Sequence, residues 1–433
     1  MVDMSEYFKD TLPNGLRLIA VEMPHLHSAE IVCYVGAGSW YENIEEAGIS
    51  HFLEHVLFRG TTEYPSLLHL ERAFEAIGGA VNASTDAEAT CYHSRLHPTW
   101  IWTGVALFAS MLQRPLFLEV EIERKIILEE ALEDLNERGE LINPDSLTAQ
   151  LLWPDNPLSL PTIGTRKSIR RINSLHLQKH HATYYTPANT VLVAAGRIRR
   201  DEVRAAVEKH FGDWQGPPPP TPPPFLSSRK QDTMATAWVR DSDSQVAVQL
   251  TFRVPGRRSP HAVPLRVLSL VLSRGGTSRL MLRLREKLGL TYNVEANLSL
   301  YDECGCLSVD LFVTPVNLVP AVQEILGIFE ELCHEPVGEE ELRQVVQGYL
   351  YDLDFSQDHP DEMAERYGWG ELVGYLRTLK EDRWDIAAAS SEALLKTAQE
   401  LFTPCALKAV VVGPFRAQDR SLVEAILRRF RQD

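Results

Sequence analysis

Apolar and polar residues recur with two different periods along this chain, and the changes of period mark its elements. Residues 6–34 read as a hairpin: Pro13, Asn14 and Gly15 supply a turn, and the apolar runs 16–23 (LRLIAVEM) and 31–38 (IVCYVGAG) supply strands. Residues 47–60 (AGISHFLEHVLFRG) switch to helical spacing and end at Gly60. There Phe52, Leu53, Val56 and Leu57 cover one side, while His51, Glu54 and His55 share the other. A second amphipathic helix over 67–79 closes on Gly78 and Gly79. Residues 80–96 alternate like an antiparallel pair with a polar bend at 84–88, and 100–115 form an apolar helix that stops before Pro115. The spacing then predicts a long charged helix over 119–138. Residues 145–212 follow as helix, loop, helix, strand and helix.

Residues 216–225 (GPPPPTPPPF) can neither pair in a sheet nor continue a helix, and are expected to be an extended spacer. After this run the order of elements repeats. A strand over 246–254 precedes a helix over 261–275, the segment RLMLRLREKLG and the strand pair 291–300 and 304–313. Helices over 317–333 and 338–353 come next, and a helix, a strand and a helix close the chain. Aligning LFRG (57–60) with LSRG (272–275) puts Arg266, Ser269 and Leu270 where His51, Glu54 and His55 stand. The expected architecture is therefore α+β: two homologous domains, 1–214 and 226–433, each a mostly antiparallel sheet layered with helices, joined by a linker at 215–225.

Composition narrows the partners. The chain has 433 residues, long enough for two cores, and its 44% hydrophobic and 24% charged content is that of a folded protein. A net charge of −16 leaves no basic face for phosphates, so no nucleic acid is expected as a partner. Cys33, Cys91, Cys304, Cys306, Cys333 and Cys405 are scattered without a C-x-x-C pair, and read as reduced and structural. The first fifteen residues have neither the basic nor the apolar region of a signal peptide, and no apolar run reaches membrane-spanning length. A cytoplasmic protein without membrane contact is the expectation.

The candidate chemistry lies in H-x-x-E-H. Two imidazoles one helical turn apart can share a metal ion, and a neighbouring carboxylate can accept a proton from water that the metal activates. The order is the mirror of H-E-x-x-H and resembles the inverzincin signature. A catalytic zinc takes three protein ligands, so one more must come from another element. Residues 119–138 offer Glu119, Glu121, Glu123, Glu129, Glu130, Glu133 and Asp134, and spacing alone does not choose among them. Glu123 and Glu130, seven residues apart, project from nearly the same side of a helix.

HFLEH followed, after 74 residues, by the last glutamate of ERKIILEE resembles the pitrilysin, insulin-degrading enzyme and mitochondrial processing peptidase family. The likeness extends over LPNGLRLI, VGAGSWYE, AIGGAVNASTDAEATCYH, YYTPANTVLVAAG and GGTSRLMLRLREKLGLTYNV. It implies zinc held by His51, His55 and Glu130, Glu123 as the carboxylate just outside the ligand set, and Glu54 as general base. It also implies that Arg285 and Tyr292 reach substrate from the half without metal, and that Asn82 and Ala83 lie at a sheet edge where a peptide adds as a strand.

The function expected on this resemblance is a zinc endopeptidase that hydrolyses unfolded peptides or leader segments with metal-activated water. Family members of this length form pairs, so a homodimer is expected first and a heterodimer with a catalytically silent homologue second. The alternatives are a non-catalytic scaffold or assembly subunit of the same family, and a maturation protease dedicated to one partner peptide. The scaffold reading predicts eroded ligand positions, whereas His51, Glu54, His55 and Glu130 are all present.

Overall fold

The computed structural model describes residues 6–221, 225 and 233–431, and falls into two compact units. In chain order it opens with β1 (Phe8–Thr11), β2 (Arg17–Glu22), β3 (Ala29–Val35), α1 (Ile49–Leu57) and α2 (Leu67–Glu75). The strands β4 (Asn82–Thr85) and β5 (Thr90–Leu96) lead to α3 (Ile101–Gln113) and α4 (Val120–Glu130). Next come α5 (Pro144–Leu152), α6 (Arg166–Arg171), α7 (Ser174–Tyr184), β6 (Thr190–Gly196) and α8 (Arg200–Phe211). The later half holds β7 (Ala235–Val239), β8 (Val246–Pro255), α9 (Ala262–Ser273), β9 (Thr291–Leu300) and β10 (Cys304–Val313). It continues with α10 (Leu318–His334), α11 (Glu339–Phe355), α12 (Pro360–Leu372), α13 (Leu379–Ala387), α14 (Ser391–Leu401), β11 (Leu407–Val412) and α15 (Ala417–Arg429). A short π-helix, Met281–Lys287, precedes β9.

The first unit is built on a six-stranded sheet in the order β1-β2-β6-β3-β5-β4. All neighbours are antiparallel except β2 and β6. Ile31, Cys33 and Val35 face a core shared with α1, α2 and α3, while Tyr34, on the opposite face, stacks edge-on against Trp369 of α12. Cover on both faces explains why β3 and β6 are buried at every position and read as unbroken apolar runs. The second unit has a five-stranded sheet, β7-β11-β8-β10-β9, with one parallel pair, β7 and β11. Its core centres on Phe252, whose ring lies 4.7 Å from Phe329 and 5.0 Å from Phe402. Leu147 of α5 packs against Val410 and Val412 on the other face.

Each unit borrows a segment from the opposite half of the chain. Leu132–Ser159, with α5, belongs to the second unit, and Asp352–Glu381, with α12, belongs to the first. The boundary expected at the proline run is thus crossed twice. Residues 222–224 of that run lie outside the described residues.

Three local expectations change. The hairpin over 6–34 ends at Glu22, because β6 inserts between β2 and β3 and pairs with both. The central strand comes from far along the chain, and sequence order cannot show it. The helix over 119–138 stops at Glu130; the Asn136 side chain accepts from the amides of Arg138 and Glu140 and turns the chain, with Gly139 at φ +74°. Finally, α12 and α13 occupy residues to which the pattern assigned no element. All six cysteines are free thiols, and no helix among the described residues is long and apolar enough to cross a membrane.

Gly368 tests the borrowed helix. A Cβ there would strike Val193 of β6 and Tyr34 of β3. Glycine to alanine in an unpacked helix stabilises by about 0.5–1 kcal/mol. Gly368→Ala is expected instead to destabilise by roughly 1–3 kcal/mol through overpacking, seen as a lower urea midpoint. A raised midpoint would contradict the packing.

Candidate metal centre

The motif helix is placed from both sides. Phe52, Leu53, Val56 and Leu57 are wholly buried in the core of the first unit, which leaves His51, Glu54 and His55 on the opposite side of α1. At its N-terminus Gly48 sits at φ +86°, and a Cβ would meet the backbone of Ile163 and Gly164. Only glycine suits that entry. The buried Glu42 carboxylate then accepts from the amides of Gly48 (2.6 Å) and Ser50 (2.8 Å), occupying the positive end of the helix. Burial pushes this carboxyl up to about 7, against the pull of those amides. Ser50 also contacts Nε2 of the buried His180 on α7 at 3.2 Å.

Helix α4 brings the remaining carboxylates. Its entry carries two non-glycine residues in the left-handed region, Phe117 (φ 51°) and Glu119 (φ 53°). Such conformations cost on the order of 1 kcal/mol each and persist where neighbours hold them. Here Phe117 packs edge-on against His181, 5.5 Å between ring centres, and Glu119 accepts from Arg59 Nη1 at 2.9 Å.

The ligand atoms converge. His51 Nε2 and His55 Nε2 are 3.3 Å apart, and the Glu130 carboxylate oxygens lie 3.6 Å from each. Zinc–nitrogen and zinc–oxygen bonds of about 2.0–2.2 Å at tetrahedral angles imply ligand separations of about 3.3–3.6 Å, so these three residues fit one ion. Behind them Glu123 Oε2 is 3.0 Å from His55 Nδ1, while its other oxygen accepts from Arg59 Nε. A carboxylate on Nδ1 fixes the tautomer that leaves Nε2 with its lone pair directed at the ligand site. His51 has no such support, since its buried Nδ1 lacks a hydrogen-bond partner among the described residues. Burial, with His55 beside it, holds the His51 imidazole down at about 4, in its neutral form at neutral pH.

Glu54 is buried (8% exposed), and Thr85 of β4 donates to its Oε2. Burial raises this carboxyl above its ordinary value, and the Thr85 hydroxyl draws it partly back. Asn82 and Ala83 lie on β4, the outermost strand, opposite His93 and Tyr92 of β5. Asn82 is exposed, and Ala83 packs against the core. In the second unit Arg285 lies over the ring of Tyr292, 4.9 Å from its centre, and Tyr292 is 80% exposed. At the α9 positions matched to the motif, Arg266 faces Asp382 (3.6 Å) and Tyr349 (3.2 Å), and Ser269 bonds its own helix backbone. No metal-ligating group stands there.

Sequence reading missed Glu42, Arg59, Thr85 and His180. Arg59 lies inside the quoted motif segment and could have been matched by charge to Glu123. Glu42 reaches the helix start from a loop, outside any S-x-x-E capping pattern, and left no signal of its own.

An H-x-x-E-H centre completed by a glutamate from a second helix, on paired α+β units, defines a class of metal-dependent peptidase folds. Family descriptions agree: "Insulinase (Peptidase family M16)" matches residues 17–166, and "Peptidase M16 inactive domain" matches 171–349. An uncharacterized zinc protease of Mycobacterium tuberculosis is 31% identical over 424 residues, 96% of this chain and 95% of that protein. The chain belongs to peptidase family M16, and is of the half-size type. A protease from Helicobacter pylori shares the fold, with a TM-score of 0.87 at 22% identity, covering 94% of this chain and 99% of that one. The periplasmic protease PqqL of Escherichia coli matches with a TM-score of 0.78 at 16% identity, over 100% of this chain but 51% of that one.

The support around His55 can be tested without turnover. Arg59→Ala or Glu123→Gln should weaken zinc binding by roughly 10- to 100-fold while the three ligands stay in place, measured by competition with a chromophoric chelator. Unchanged affinity in both variants would detach this ion pair from the metal.

Proposed function

We propose that the chain is a zinc endopeptidase acting on unfolded peptides or leader segments. The observation that carries the reading is the convergence of His51, His55 and Glu130 beside a buried Glu54 that has one anchored and one open carboxylate oxygen. The name zinc protease borne by the full-length relatives supports it.

His51 Nε2, His55 Nε2 and a Glu130 oxygen would hold the ion. Bound there, zinc supplies Lewis acidity towards a peptide carbonyl and lowers the pKa of water to about 7. Glu54 Oε1, which no described residue occupies, is the atom that takes the proton of the attacking water and returns it to the leaving nitrogen. Burial keeps bulk water from competing at that carboxylate. Substrate would add as a strand along β4, at Asn82 and Ala83, so main-chain bonds bind it and sequence selectivity stays loose. Arg285 is assigned to donate to a substrate carbonyl, and Tyr292 to hold the backbone or the developing oxyanion. The family resemblance supports a pair of chains as the working assembly, a homodimer first and a heterodimer with a catalytically silent homologue second.

Unstructured peptides incubated with zinc-loaded protein and read by mass spectrometry test the proposal. Cleavage is expected in the intact protein and absent after chelation. Glu54→Gln should keep its zinc and lose at least about 100-fold in rate, as a missing general base does. His51→Ala, His55→Ala and Glu130→Ala should lose both zinc and cleavage. Turnover retained in Glu54→Gln would refute the assigned base, and a protein that neither binds zinc nor cleaves would favour the scaffold reading.

A further inference from the structure

Thr85 ends β4, the outermost strand of the first sheet, and its side chain lies on the α1 side of that strand. We propose that Thr85 is a positioning residue for Glu54, pinning one carboxylate oxygen so that the other is presented to the attacking water. This rests on the peptidase reading above.

Proton accounting carries the assignment. A threonine hydroxyl has one proton to give, and an ionised carboxylate has none. Thr90 is the register partner of Thr85 on β5, is fully buried, and donates to the Ala37 carbonyl at 2.9 Å. Its oxygen stands 3.4 Å from that of Thr85. With the Thr90 proton committed to a carbonyl, the Thr85 proton goes to Glu54 Oε2. Among the described residues no other group hydrogen-bonds the Glu54 carboxylate, so this hydroxyl is its single anchor and Oε1 stays open.

The anchor also has a place in the fold that suits its task. Ala83 and Thr85 point to the same side of β4, two residues apart. The strand along which a peptide would add is therefore the strand that steadies the base, and one rigid element sets both distances. A glutamate side chain released from its only hydrogen bond regains rotamer freedom. Displacing a catalytic group by about 1 Å can cost on the order of 100-fold.

A purely structural role for Thr85 in the turn between β4 and β5 predicts something different. Thr85→Val keeps the β-branched shape that a strand favours and removes only the hydroxyl, while Thr85→Ser keeps the hydroxyl. The experiment compares the full chain with both variants, zinc-loaded, for zinc content, melting temperature, KM and kcat on unstructured peptides. A high-resolution crystal structure of Thr85→Val is the readout that needs no turnover. The proposal expects Thr85→Val to hold its zinc, to keep KM within about twofold and to lose roughly 10- to 100-fold in kcat, with the Glu54 carboxylate rotated away. Thr85→Ser should recover kcat to within about threefold of the parent. Should Thr85→Val fail to fold, Thr85→Ala takes its place with the same expectations. A Glu54 carboxylate that superposes on the parent, or a kcat within about twofold of it, overturns the proposal. If the parent cleaves nothing, the peptidase reading fails on its own, and the position of Glu54 in the variant still decides whether Thr85 anchors it.

Discussion

The Glu123 carboxylate, held between Arg59 and His55, is the contact on which the arrangement of the candidate metal site depends. Its side chain is 5% exposed, and Arg59 is 12% exposed, so both charges have left most of their water behind. Each charge has a second partner, Glu119 for Arg59 and His55 for Glu123, so the pair is one link in a chain of four side chains. The pair also sets the register of α4 against α1. With Glu123 fixed on His55 Nδ1, two further turns of helix deliver Glu130 to Nε2 of both histidines. One ion pair thus bears on the tautomer of His55 and on the approach of Glu130 to it.

A second constraint concerns the far faces of the two sheets. β3 and β6 in the first unit, like β11 in the second, are central strands with apolar residues on both sides, and neither sheet is covered by its own half of the chain alone. The exchange of α5 and α12 answers this. Leu147 of α5 covers Val410 and Val412, and Gly368 of α12 allows its helix to settle on Tyr34 and Val193. Burial of apolar surface is non-directional, so either half can supply the covering helix, provided the chain can reach. Each unit therefore owes part of its stability to a distant stretch of sequence.

The two units share an architecture and differ in chemistry. Where α1 carries imidazoles and a carboxylate, α9 carries Arg266, bound to Asp382 and Tyr349, and Ser269, bound to its own helix. A similar arrangement of elements carries a candidate ligand set in one place and an ordinary polar network in the other.

Periodicity within the sequence determined much of this protein by itself. It placed the motif helix with His51, Glu54 and His55 on one side, the paired strands at 80–96, the α+β class and the repeat of elements, because each follows from side-chain spacing along a local backbone. The seven-residue interval likewise put Glu123 and Glu130 on one side of α4, and resemblance to a family supplied their roles. Tertiary structure alone decided the rest. Only packing could insert β6 between β2 and β3 and send α5 and α12 to the opposite sheets, since these depend on burial against distant residues. Only packing could bring Glu42 to the start of α1, Arg59 to Glu123 and Thr85 to Glu54. A hydrogen bond or ion pair between remote segments leaves no period in the sequence, because its geometry exists only once the chain has folded.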